Sequence, residues 1–262
     1  MTEPEWLTTT DVDAMLALLA RRRKRLGFNS ERFRTFAVGC ARRMWPYLGE
    51  PLRELVKQLD CNPADVDQGV LRQGRVIHET ACVKYGEDYT LASANVTTGL
   101  ADYRCLIELS IQGPARLVAG FLALRWPRQA ALAAARNGPL AAAMAEGYAA
   151  LPVDRRIDRD DFLQVVQPRS RSATEFAAQA ELLRCIFGNP FRPVAFDPSW
   201  RTEAVVGLAR GIDEANDFAA LPVLADALED AGCADADLLA HCRRPGPHAR
   251  GCHVVDHVLG NW

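Results

Sequence analysis

Apolar side chains in this chain recur at three- and four-residue steps, and that spacing restricts its fold to helices. In "NSERFRTFAVGCARRMWPYLG", Phe33, Phe36, Ala37, Cys40 and Met44 share one helical face. Ser30 reads as the N-cap of this helix, and Pro46 ends or kinks it. In "TTTDVDAMLALLARRRKRLG", Thr10 precedes Asp13 by three residues, a start like a capping box. Met15, Leu16, Leu18 and Leu19 supply the stripe there, and the cations before Gly27 complement the helix dipole.

The same reading predicts helices over about 63–84, 90–111, 114–125, 127–136 and 139–150, with breaks at the prolines. The stretch "YTLASANVTTG" (89–99), which opens the second of these, is rich in β-branched and small residues, the β-branched ones being weak helix formers. Residues 152–173 combine charge, proline and serine and read as a linker, within which "DDFLQVVQ" fits a short strand or a helical turn. After it come "SATEFAAQAELLRCIFG", closed by Gly188, a proline-paced connector "NPFRPVAFDPSW", and four more helices. The expectation is an all-α, multi-helix bundle or array with at most short strands. An N-terminal helical domain would span 1–151, and a C-terminal helical unit over 174–262 would pack on it.

The segments "EPEWLTTTDVDAMLALL", "LLRCIFGNPFRPVAFDPSW" and "LADALEDAGCADADLLAHCRRPGPHARGCHVVDHVLG" resemble a family of planctomycete proteins that share these end blocks around a variable, Ala-rich middle. "LPVLADALEDAGCADADLLAHCR" is also similar to the planctomycete repeat-companion domain, a short helical module. The resemblance implies a helical module without an assigned activity, and no catalytic residue is carried over from it. In the resembling family a tryptophan more often follows the Gly-Cys pair where this chain has His253.

Charge narrows the partners. The formal net charge of −2 opposes nucleic-acid binding through bulk charge, yet residues 21–43 hold nine Arg or Lys against Glu31 alone. Arg21, Arg22, Arg23, Lys24 and Arg25 are therefore the candidate contacts for a nucleic acid or an acidic partner. Their alternative role is to complete the helix dipole or to face the acidic 213–242 segment. The start "MTEPEWLTTTD" lacks the apolar run of a signal peptide. Eight cysteines without a CxxC pair read as reduced thiols, which suits a cytoplasmic protein.

The chemistry concentrates in "HCRRPGPHARGCHVVDH", residues 241–257. Zinc takes Cys and His ligands tetrahedrally, and the most economical set around the proline turn is Cys242, His248, Cys252 and His257, or His253 in place of His257. A plain "RPGP" corner with buried cysteines accounts for the same residues. Cys252 at a helix start beside His248, His253 and Asp256 is the candidate nucleophile, although no catalytic set is assigned. In "VIHETAC", Cys82 stands where a zinc helix pair needs its second histidine. No phosphate-cradling glycine loop or nucleophile elbow is present. The leading expectation is a protein-interaction or adaptor module, with a zinc protein and a basic-patch nucleic-acid binder as alternatives.

Overall fold

The structure is a computed structural model that describes residues 1–28, 30–61, 68–97, 103–120, 122, 127–168 and 172–262. Among them it is all-α, with thirteen α-helices and no strand. In chain order these are α1 (Glu3–Thr8), α2 (Val12–Leu26), α3 (Arg32–Arg43), α4 (Glu50–Cys61), α5 (Gln68–Thr97), α6 (Arg104–Gly120) and α7 (Pro127–Ala149). They continue with α8 (Arg159–Val166), α9 (Ala173–Phe187), α10 (Glu203–Ala215), α11 (Leu221–Asp230), α12 (Ala236–Arg243) and α13 (His253–Leu259). No described helix is long and apolar enough to cross a membrane.

Several boundaries differ from those the sequence suggests, each for a local reason. Asp11 caps α2 by accepting from the Ala14 N–H, while the Thr10 carbonyl closes a tight turn with the Val12 N–H. A further helix, α1, forms ahead of it on a Thr2–Glu5 capping box. The expected break between 84 and 90 is absent, because α5 runs on from Gln68 to Thr97, and the Thr90 hydroxyl donates to the Gly86 carbonyl at 2.7 Å. Helix propensities differ by only tenths of a kcal/mol, so packing overrides them. Pro114 and Pro139 lie inside α6 and α7 rather than between helices. Each follows a glycine, Gly113 or Gly138, which lacks the Cβ that clashes with a following proline ring. The expected start at 63, the expected end near 125 and part of the linker at 169–171 lie outside the described residues.

Contacts divide the chain inside α3 and α9. One unit comprises Met1–Phe36 with Ala178–Trp262, and the other Ala37–Ala177. In the central unit Ile107, Ile111, Met144, Ile157 and Val165 form a core. Here α8 occupies part of the segment that reads as a linker, capped by Asp158, which accepts from the Asp160 and Asp161 N–H groups. The Arg43 guanidinium meets the buried Glu175 carboxylate at 2.9 Å.

The terminal unit joins sequence ends more than 140 residues apart. Its core is built from Val205, Ile212, Leu221, Leu224, Leu228, Leu238, Val254 and Val258 with Cys185, Cys233, Cys242 and Cys252. Phe28, Phe33 and Phe187 cluster with ring centroids 5.0–5.9 Å apart. Two arginines connect the ends. Arg184 of α9 donates to the carbonyls of Trp6, at 3.0 and 2.8 Å, and Thr9, at 2.6 Å, which satisfies acceptors orphaned at the end of α1. Arg32 donates to the Ile186 carbonyl at 2.8 Å and the Gly251 carbonyl at 3.3 Å, pairs with Asp256 at 2.6 Å, and lies 3.9 Å over the Trp262 ring.

Gly251 is required where this clamp meets the tail. Its φ is +83°, and a Cβ there would overlap the Thr35 methyl group. Gly251→Ala should cost about 3 kcal/mol, from left-handed strain of ~1–2 kcal/mol plus overpacking of ~1–3 kcal/mol. Chemical denaturation should find Gly251→Ala with Thr35→Ser more stable than Gly251→Ala alone. Equal losses would place the whole cost in the backbone.

Candidate metal centre

Four side chains in the terminal unit converge: Cys185, His241, His248 and Cys252. Cys185 sits in the last turn of α9 and His241 in the last turn of α12. His248 belongs to the proline turn, and Cys252 is the N-cap residue of α13. One donor atom from each lies within 4.8 Å of all the others. The Cys185 Sγ is 3.6 Å from the His248 Nδ1, and the Cys252 Sγ is 3.3 Å from the His241 Nε2. A tetrahedron with Zn–S near 2.3 Å and Zn–N near 2.05 Å has S···N edges of about 3.6 Å. These two observed edges are already close to that length.

The surroundings orient the donors. The His248 Nε2–H donates to the Arg244 carbonyl at 3.0 Å, which leaves Nδ1 as the ring nitrogen turned toward the sulfurs. A ring nitrogen tied to a backbone carbonyl while the other binds metal is the usual outer-shell arrangement. His253 donates from Nδ1 to the Cys185 carbonyl at 2.9 Å, and its ring meets His241 edge-on at 4.4 Å. Burial opposes a charge on Cys252, but hydrogen bonds from the Cys185 thiol and from His241 and His248, with the charge of His241, hold its pKa well below the usual thiol range. The hydrogen bond to Cys252, together with burial, pushes the Cys185 thiol up. At His248, burial acts downward and is outweighed by the hydrogen bonds to Cys252 and the Arg244 carbonyl, so its pKa is raised. These contacts favour the thiolate at Cys252 over that at Cys185.

Of the residues that the sequence nominates for metal, the structure brings His248 and Cys252 into this cluster and places Cys242 and His257 elsewhere. Cys242 faces the apolar core of α10–α13, where burial pushes its thiol up. His257 is sandwiched between Trp262, at 4.2 Å and 22°, and Phe196, at 5.8 Å and 1°. His253 is a supporting residue rather than a donor. His241, within the tail, and Cys185, 56 residues before it, complete the set. Cys185 carried no sequence signal beyond its place in an apolar helix. Cys252 has His241 as its histidine neighbour, whereas Asp256 is engaged by Arg32, and Cys252 is fully buried, so no accessible nucleophile is formed. On α5, Cys82 and His78 touch at 3.7 Å.

The basic stretch is not one exposed face. Arg21, Lys24 and Arg25 are exposed on α2, but Arg22 donates to the Pro190 carbonyl at 3.3 Å and stacks 4.1 Å over Phe191. Arg32 and Arg34 are buried, the first on Asp256 and the second on Glu31 at 2.8 Å. Within the terminal unit, the expected run from Arg21 toward Arg43 is thus interrupted by arginines committed to internal partners.

Burial, with the charges of Arg32 and Arg201, lowers the His257 pKa to about 4. The ring is neutral when folded and takes a proton near pH 6.5 when unfolded, so its stabilisation is present above pH 6.5 and lost as pH falls toward 4. Asp256, pushed up to about 6 by burial against the pull of Arg32, acts in the opposite sense between 3.8 and 6. Comparing His257→Phe with the native chain cancels that contribution. Between pH 7 and pH 5 the variant should lose about 2 kcal/mol less stability, measured by urea denaturation at each pH.

Compared with protein-family models, curated proteins and solved structures, the chain matches none.

Proposed function

We propose that the protein is a zinc-binding helical module in which Cys185, His241, His248 and Cys252 hold one ion. The observation that carries this reading is the convergence of two thiols and two imidazoles, from three helix ends and one turn, with two of their S···N edges close to those of a tetrahedral site. Such an S2N2 donor set favours zinc, with iron–sulfur chemistry as its nearest competitor. Two thiolates neutralise a divalent cation, so the occupied centre carries no net charge into an apolar core, where an unbalanced charge is costly.

With four protein ligands the ion joins α9 to the α12–α13 tail and supports a scaffold role, which fits an interaction module better than an enzyme. Its partner is expected to be another protein that docks on the helical surface. The seven cysteines whose side chains are described are free thiols, which favours a reducing compartment such as the cytoplasm.

Tag-free protein should contain one zinc per chain by elemental analysis. Replacement with cobalt(II) should give the visible d–d bands of a tetrahedral site and thiolate charge-transfer absorption. Cys185→Ala and Cys252→Ala should abolish both signals, whereas Cys242→Ala and His257→Phe should keep full stoichiometry. Chelation should lower stability by about 4 kcal/mol relative to protein in zinc held roughly a thousandfold above Kd. Metal-free protein whose stability is indifferent to chelator would overturn the reading.

A further inference from the structure

The four donors are not held alike. Cys185, Cys252 and His241 are all buried, at 1%, 0% and 8% exposure, whereas His248 is only partly buried. Cys252 follows Gly251, which is fixed by Thr35 and Arg32, and Arg250, which pairs with Asp213 at 3.3 Å. Cys185 and His241 are carried on helices. His248 instead belongs to the turn Pro245-Gly246-Pro247-His248. It is tied by the ring bond to the Arg244 carbonyl, the backbone bond to the Gly246 carbonyl at 3.0 Å, edge contact with His241 and the approaches of its ring to Cys185 and Cys252. No atom lies within 4 Å of the position a Gly246 side chain would occupy. A cavity of about 420 Å³ opens beside this turn, lined by Pro245, Gly246, Pro247 and His248 together with Phe218 and Cys242.

Resting on the zinc reading above, we propose that His248 is an exchangeable ligand, and that the centre accepts a small external nitrogen or sulfur donor in its place. The exchange breaks the bond from zinc to His248 Nδ1 and forms one from zinc to the incoming donor. With a neutral imidazole-type donor no proton or electron is transferred. The remaining Cys185, Cys252 and His241 are a Cys2His set, the protein complement of zinc sites that keep one position for an outside ligand. The cavity beside the turn has the volume for a small molecule and is lined by the residue that must leave. The prolines limit how the turn moves, so displacement swings His248 about Gly246 without unravelling α12 or α13.

Cobalt-loaded protein and free imidazole provide the test. In the native chain, imidazole should shift the d–d bands saturably while one cobalt per chain is retained. His248→Ala should still bind one cobalt, weaker by roughly a hundredfold, as expected for one ligand of four. Imidazole should recover much of that loss and return the tetrahedral spectrum. His241→Ala should lose cobalt and should not be rescued. Three results overturn the proposal: a native spectrum unmoved by imidazole, a His248→Ala protein that loses metal as completely as His241→Ala, or imidazole that strips the metal. A native chain that binds no cobalt at all overturns the zinc reading itself, which separates the two failures. The native-chain titration stands even if His248→Ala does not fold.

Discussion

Two thiols and two imidazoles meeting in an apolar interior form the constraint around which the terminal unit is organised. Each has a lone pair that burial strips of water, and each must find a partner among the others or share an ion. The thiol is favoured at Cys185 and the thiolate at Cys252, and the two histidines face the sulfurs at 3.3 and 3.6 Å. The end of α9, the end of α12 and the start of α13 are thereby held at one point. On the zinc reading proposed above, an ion of double positive charge would turn that arrangement from a set of weak sulfur hydrogen bonds into a strong crosslink.

The arginines extend the same logic outward. Arg32 gathers the end of α9, the Gly251 carbonyl and Asp256, and so fixes the residues flanking Cys185 and Cys252. Buried ion pairs repay desolvation only when the remaining donors are also bonded, and Arg32 meets that condition with two carbonyls and an aromatic face. Arg184, the immediate neighbour of Cys185, performs a similar task for α1. The basic stretch near the N-terminus is thus partly internal structure. Arg32 and Arg34 belong to the interior, while Arg21, Lys24 and Arg25 on α2 and Arg42 and Arg43 at the end of α3 hold exposed positions.

Legibility in the sequence followed the range of the interaction. The stripes on α2 and α3 were readable because periodicity is local, and Gly27 and Gly188 mark helix ends in the left-handed conformation as their positions suggest. Pro114 and Pro139 were misread as breaks because the relief supplied by a preceding glycine is a smaller signal than proline itself. Within the site, His248 and Cys252 were legible because they flank the turn. Cys242 and His257 had the same residue types and nearby spacing, but α12 and α13 turn them toward the apolar core and the Phe196–Trp262 stack.

By itself, the sequence determined a helical chain with its thiol and imidazole chemistry gathered near residues 241–257, since side-chain period and local composition are written in neighbouring positions. Only the tertiary structure decided which of those groups meet. Cys185 joins them across 56 residues because α9 ends against the tail, and His257 stays apart because one turn of α13 rotates it onto an aromatic face. Convergence depends on the packing of whole helices, which no single stretch of the chain encodes.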